Sequence, residues 1–229
     1  MGKTLSQVDS QVRELVGDYQ LTTFQPEAVA EAVNWAQNLV LRVKGFKYAS
    51  RLYVAGVYPI GALPSDWLSV KRMLLVTTTM NPVVTATDTS DALDTVVRVL
   101  RESSMEFEDS VSDTWRSARA HFLPRRWTLV GDMNFATVPA LMPTDGSGAG
   151  LYVRLHYNKM ATPVVNPTDP IDSSIPDYYQ EALRYAAVAY LIEKDTDLKS
   201  VQLKGEMMKS FDFHMSGGVP KLAVGEQDS

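Results

Sequence analysis

Residues Pro26–Gly45, PEAVAEAVNWAQNLVLRVKG, decide the fold class, because they carry the marks of a helix with one buried side. Proline costs little in a first helical turn, where its missing N–H has no partner to lose, and Glu27 suits the positive end of the helix dipole. Val29, Val33, Ala36, Val40 and Val43 recur at intervals of three and four and form an apolar stripe. Gly45 stands where a left-handed residue is needed to end the helix.

Toward the N-terminus, Leu5, Val8, Val12, Leu15 and Val16 predict a second, shorter helix, started by Thr4 or Ser6 and ended by Gly17-Asp18. At the other end of the chain, Pro176 and Asp177 open a helix that carries Tyr179, Leu183, Ala186, Ala187, Tyr190 and Leu191. Asp195-Thr196-Asp197 breaks it, and a last helix holds Leu203, Met207, Met208, Phe211 and Met215. After Gly217-Gly218 the sequence VPKLAVGEQDS has no helical period and is expected to be extended.

Between these helices the pattern changes. From Tyr48 to about Val84, short β-branched and aromatic runs are broken by Pro59, Gly61 and Pro64, which predicts strands. Arg72–Thr79 fits strand or helix, and periodicity does not separate the two. Asp91–Glu102 reads as a helix through Leu93, Val96, Val97 and Leu100, and a weaker helical stretch follows over Ser112–His121. Trp127–Val130 reads as a strand. Thr137–Met142 and Leu151–Tyr157 are expected to form a hairpin around the loop that holds Gly146, Gly148 and Gly150. Pro163, Pro167, Pro170 and Pro176 then punctuate a loop leading to the last helices. The expected fold is α+β: a helical bundle formed from the N- and C-terminal helices, with a β-rich insertion and an extended C-terminal tail. Residues 1–47, 48–176, 177–216 and 217–229 are the corresponding segments.

Composition narrows the function classes. The 229 residues are 45% hydrophobic and 21% charged, as in a folded globular protein. The net charge of −5 argues against tight nucleic-acid binding, which draws its affinity from lysine and arginine on phosphates. An acidic channel wall would instead let DNA pass without gripping it. With no cysteine, disulfides, thiolate metal sites and cysteine nucleophiles are excluded. The longest apolar stretches, such as Ala186–Ile192, are too short to span a bilayer. The reading is a cytoplasmic protein without a membrane partner.

No residue set assembles a catalytic, cofactor or metal site. His121, His156 and His214 stand far apart, and neither HExxH nor GxSxG occurs. Glu106-Phe107-Glu108-Asp109 reads as a solvated charge run. The opening Met1-Gly2-Lys3-Thr4-Leu5-Ser6 lacks the strand and glycine-rich turn of a phosphate loop, and the three loop glycines join predicted strands rather than opening a helix. One basic cluster stands out: Arg116, Arg119, His121, Arg125 and Arg126, flanked by Trp115 and Trp127. It reads as a solvated face, as ion pairs to an acidic neighbouring subunit, or as a DNA contact. Tyr178, Tyr179, Tyr185 and Tyr190, with Met207, Met208 and Met215, read as core before interface. The apolar Val219, Leu222 and Val224, beyond a Gly-Gly hinge, suit a segment that folds on binding, with a frayed end as the alternative.

Taken in order, TTFQPEAVAEAVNWAQNLV (22–40), LPSDWLSVKRM (63–73), DTWRSARAHFLPRRWTLVG (113–131), LMPT (141–144), GLYVRLHYN (150–158) and IPDYYQEALRYAAVAYLIEKDTDL (175–198) resemble the head-to-tail adaptor proteins of tailed phages, those of podoviruses and related siphoviruses most closely. The resemblance runs from about Leu5 to Met215 and is weakest over Arg72–Ser112. It implies a structural virion protein of the neck rather than an enzyme, assembled in the host cytoplasm. It also implies a dodecameric ring of copies beneath the portal, a central channel for DNA, and a far side that receives tail or nozzle proteins and tail fibres. Val219, Pro220, Lys221, Leu222 and Val224 are then the positions for docking on the portal. Arg116, Arg119, Arg125, Arg126, Gly146, Gly148 and Gly150 are the positions for subunit or tail contacts. The rival readings are another tail-completion or fibre-attachment component, and a small regulatory nucleic-acid-binding helical module.

Overall fold

The computed structural model describes residues 2–17, 23–54, 61–78, 94–111, 115, 124–138, 151–193 and 198–217. Its helices are α1 (Leu5–Val16), α2 (Pro26–Lys44), α3 (Met105–Val111), α4 (Asp177–Leu191) and α5 (Leu198–Met215). Its strands are β1 (Tyr48–Val54), β2 (Gly61–Ala62), β3 (Trp67–Thr78), β4 (Asp94–Glu102), β5 (Arg126–Val130), β6 (Asn134–Val138) and β7 (Leu151–Lys159). The chain is α+β, and it divides into two compact units: residues 1–47 with 160–229, and residues 48–159.

In the first unit, α4 packs against α1, α2 and α5. Its small residues Ala182, Ala186, Ala187 and Ala189 are buried with Leu183 and Val188, which allows neighbouring helices to approach closely. The caps follow the sequence. Thr4 N–H donates to Gln7 Oε1 at 2.9 Å, and Gly17 and Gly45 take the left-handed conformation with φ of 72° and 66°. On α2 the inward stripe is Val29, Val33, Ala36 and Val40, but Val43 is exposed because Leu41 takes the last inward position. Tyr190 meets Trp35 at 5.2 Å between ring centroids and Tyr179 meets Phe46 at 5.1 Å, while Tyr178 is exposed. Phe211 and Met215 bury the inner side of α5.

Among the described residues the second unit forms a seven-stranded sheet in the order β1-β7-β3-β4-β5-β6-β2. Every pairing is antiparallel except β4–β5. One face carries its core: Tyr53, Leu63, Met73, Leu75, Leu100, Trp127, Phe135, Val153, Leu155 and Tyr157. Arg72–Thr79, open between helix and strand in the sequence, lies almost wholly in β3.

Three expectations are corrected. Asp94–Glu102 is a strand and not a helix, because pairing with β3 overrides the helical spacing of Val96, Val97 and Leu100. The hairpin between β6 and β7 does not form. Both edges of β7 are taken by β1 and β3, and β6 pairs with β5 and β2. Glu106–Asp109 is part of α3, and Glu108 is buried rather than solvated. The helix expected over Ser112–His121, the loop glycines and the tail beyond Gly217 lie outside the described residues, apart from Trp115.

Candidate docking site

The end of β4, the start of β5 and helix α3 enclose an open groove of about 850 Å³, lined by Arg98, Val99, Arg101, Glu102, Arg125 and Arg126 with Ser103, Ser104 and Phe107. The local backbone sets it up. Arg101 N–H donates to the Arg125 carbonyl at 3.1 Å and Ser103 N–H to the Trp127 carbonyl at 2.9 Å, which locks the parallel β4–β5 register. Arg126 is held from within its own chain. Its Nε lies 2.7 Å from Glu108 Oε1, its Nη2 donates to Oε2 at 2.9 Å, and its guanidinium sits 5.3 Å from the Phe107 ring centre. Glu108, 1% exposed, also accepts from Ser103 Oγ at 2.5 Å.

With Arg126 and Glu108 neutralising each other and Arg98 engaged, Arg101 and Arg125 outnumber the one remaining carboxylate of the lining, Glu102, which leaves a positive excess. Arg98 Nη1 donates to the Pro124 carbonyl at 3.4 Å. Arg101 and Arg125 are exposed. Arginine forks of this kind suit carboxylates and phosphates alike.

Of the positions singled out in the sequence, Arg125 and Arg126 meet in this groove. Arg116, Arg119, Gly146, Gly148 and Gly150 lie outside the described residues, as do Val219, Pro220, Lys221, Leu222 and Val224. The flanking tryptophans are structural: Trp115 is buried with its Nε1 donating to Asp109 Oδ1 at 2.8 Å, and Trp127 is in the sheet core. Arg98 and Arg101 were missed. The signal was the run of β-branched residues around Arg98, Val96-Val97-Arg98-Val99, hidden by the helical reading.

The first unit has a polar seam that explains the Asn34-Trp35-Ala36-Gln37 motif. Asn34 accepts from Val164 N–H at 2.8 Å and donates to the Val164 carbonyl at 2.9 Å. Asn38 accepts from Ala161 N–H, and the buried Gln37 accepts from Asp172 N–H, each at 2.8 Å. Three amide side chains one helical turn or less apart thus clamp the chain that follows β7. Asp172 completes the seam with Lys47 Nζ at 2.6 Å, Ser174 Oγ at 2.6 Å and Thr162 N–H at 2.7 Å.

Burial alone would raise the Asp172 carboxyl. The hydrogen bonds from Lys47, Ser174 and the Thr162 and Ser174 amides outweigh it and hold the group well below the usual carboxylate range. A carboxylate depressed in the folded state contributes stability above its unfolded value of about 3.9 and loses it as pH falls toward the folded value. Acid unfolding of the wild type is therefore expected to steepen below about pH 4, and Asp172→Asn to flatten that limb while lowering stability at pH 7. Chemical denaturation across pH 2–7 checks this, and parallel wild-type and variant curves would contradict it.

Among the described residues no group of three His, Cys, Asp or Glu side chains is placed to hold a metal ion, and no helix is long and apolar enough to cross a membrane. The chain matches the family model described as SU10 adaptor protein over residues 3–212 and belongs to that family of phage adaptors. No curated protein matches it.

Proposed function

We propose that this chain is a head-to-tail adaptor: copies form a ring, dodecameric in stoichiometry, beneath the portal of a tailed phage, leaving a channel for DNA. The observation that carries the reading is the family match, which spans both compact units. In this reading α1, α2, α4 and α5 serve as a bundle that packs between neighbouring copies. Many repeated head-to-tail contacts close the ring, so no single residue dominates its stability. The β-sheet unit faces tail or nozzle proteins and tail fibres, with Arg116, Arg119, Arg125 and Arg126 and the loop of Gly146, Gly148 and Gly150 as contact positions. The net charge of −5 suits a channel that does not hold its cargo. The protein belongs in the neck of the virion and is assembled in the host cytoplasm.

In this reading the segment from Val219 through Pro220, Lys221 and Leu222 to Val224 docks on the portal. It lies past the matched residues, so this part rests on its apolar composition after Gly217-Gly218. The test mixes the purified chain with its cognate portal and weighs the product by native mass spectrometry, with and without residues 217–229. A stoichiometric ring on the portal, weakened by the truncation, is expected. No complex with either form would overturn portal docking.

A further inference from the structure

The face of β4 away from β3 is open among the described residues. β3 pairs with β4 over Asp94–Leu100, whereas β5 joins only at Arg101 and Glu102. Along the open stretch Val96, Val97 and Val99 are 52%, 41% and 60% exposed. Protected sheet edges carry charges or proline, since unpaired N–H and C=O groups beside apolar side chains invite another strand. Here the two charges within the stretch are occupied elsewhere: Asp94 by Arg154, and Arg98 at the Pro124 carbonyl. The free charges, Arg101 and Arg125, stand at one end only, in the groove.

We propose that the open edge of β4 receives an extended segment of another protein, which adds to the sheet as a strand and places apolar residues over Val96 and Val99 and carboxylates against Arg101 and Arg125. Side-chain alternation gives the spacing. Val96 and Val99 sit opposite Val76 and Leu74 on β3, and Val97 is the extra residue where the register shifts, so Val96, Val99 and Arg101 share one face. β5 takes the edge from Arg101 onward, so the added strand pairs over Val96–Leu100, about 13 Å at about 3.3 Å per residue, and its acidic end continues past the edge to the Arg101 and Arg125 side chains. Backbone hydrogen bonds along the edge supply affinity, and the alternate side chains supply selectivity. The exposed valines and the open backbone edge favour a polypeptide over a nucleic acid, because phosphates would use the arginines and leave the rest of the edge unpaired. The arginines in turn favour an acidic segment over a basic one. This surface is separate from the C-terminal tail, so it stands or falls independently of portal docking.

The test uses the full chain and a labelled octapeptide that alternates threonine with two valines and then two glutamates, together with its reversed-order counterpart, because the strand can add in either direction. Binding of one of them is followed by fluorescence anisotropy. It is expected to weaken by about tenfold or more in R101E/R125E. It should be retained in R101K/R125K, and lost when the peptide amides that face β4 are N-methylated. Both arginines are exposed, so these variants leave the core untouched. Failure of both peptides to bind, equal binding of a lysine-substituted peptide, or indifference to N-methylation would overturn the proposal. Displacement of the peptide by a short DNA duplex that binds more tightly would assign the groove to nucleic acid instead. Self-association lost in R101E/R125E without peptide binding would assign it to a second copy.

Discussion

Replacing Asp94 with alanine is expected to destabilise the β-sheet unit by about 3–5 kcal/mol, the cost of leaving a buried charge without its partner. Arg154 has no exposed side-chain surface and Asp94 only 3%. The two meet with Nε–Oδ2 at 2.6 Å and Nη2–Oδ1 at 3.0 Å, so the fork closes on the carboxylate bidentately. The pair ties β7 to β4 across β3, on the sheet face that also buries Leu52, Leu74 and Val76. Hydrogen exchange of β4 and β7 amides reads the loss directly. The double variant Asp94→Leu with Arg154→Met should regain much of it, because no charge is then left in an apolar site. Equal exchange in wild type and D94A would mean that the pair contributes nothing in solution.

The second large effect is expected at Phe135. This side chain is fully buried, meets Tyr53 edge-on at 4.8 Å between centroids, and packs in the same core as Leu63, Leu75 and Trp127. Phe135→Ala removes that volume where β6 has short β2 on one side and β5 on the other, and should cost about 3–5 kcal/mol. Phe135→Leu keeps most of the apolar volume and is expected to cost much less. Urea unfolding followed by tryptophan fluorescence measures both, since Trp127 lies in this core. Similar midpoints for the two variants would show that volume at Phe135 does not matter.

The helices were legible because their signals are local. Pro26 with Gly45, Thr4 with Gly17, and the stripe through Val29 and Val40 lie within a few turns of each other, and each has a single physical meaning. The sheet was less legible because a strand is defined by its partner. Val96, Val97 and Leu100 fit a helical stripe until β3 is placed beside them. The expected hairpin followed sequence order from β6 to β7, yet β1, about a hundred residues upstream of β7, claims one edge and β3 the other. The groove suffered most. Arg125 and Arg126 were visible as a basic cluster, but their meeting with Arg98 and Arg101 depends on one parallel pairing that no local pattern announces. Glu108 looked like one charge in a solvated run because burial on a short helix depends on what Arg126 and Ser103 bring to it.

The register of β1 against β7 pairs Tyr48 with Asn158, so the first and last residues of the inserted sheet leave from neighbouring strands, with paired Cα atoms about 5 Å apart. An insert that begins and ends at one place behaves like a cassette. Substitutions in it, or its wholesale exchange, leave the separation of its ends unchanged, so the clamp built from Asn34, Gln37 and Asn38 need not be rebuilt. Such an arrangement lets the sheet vary in sequence without altering where the chain leaves and rejoins the helical unit.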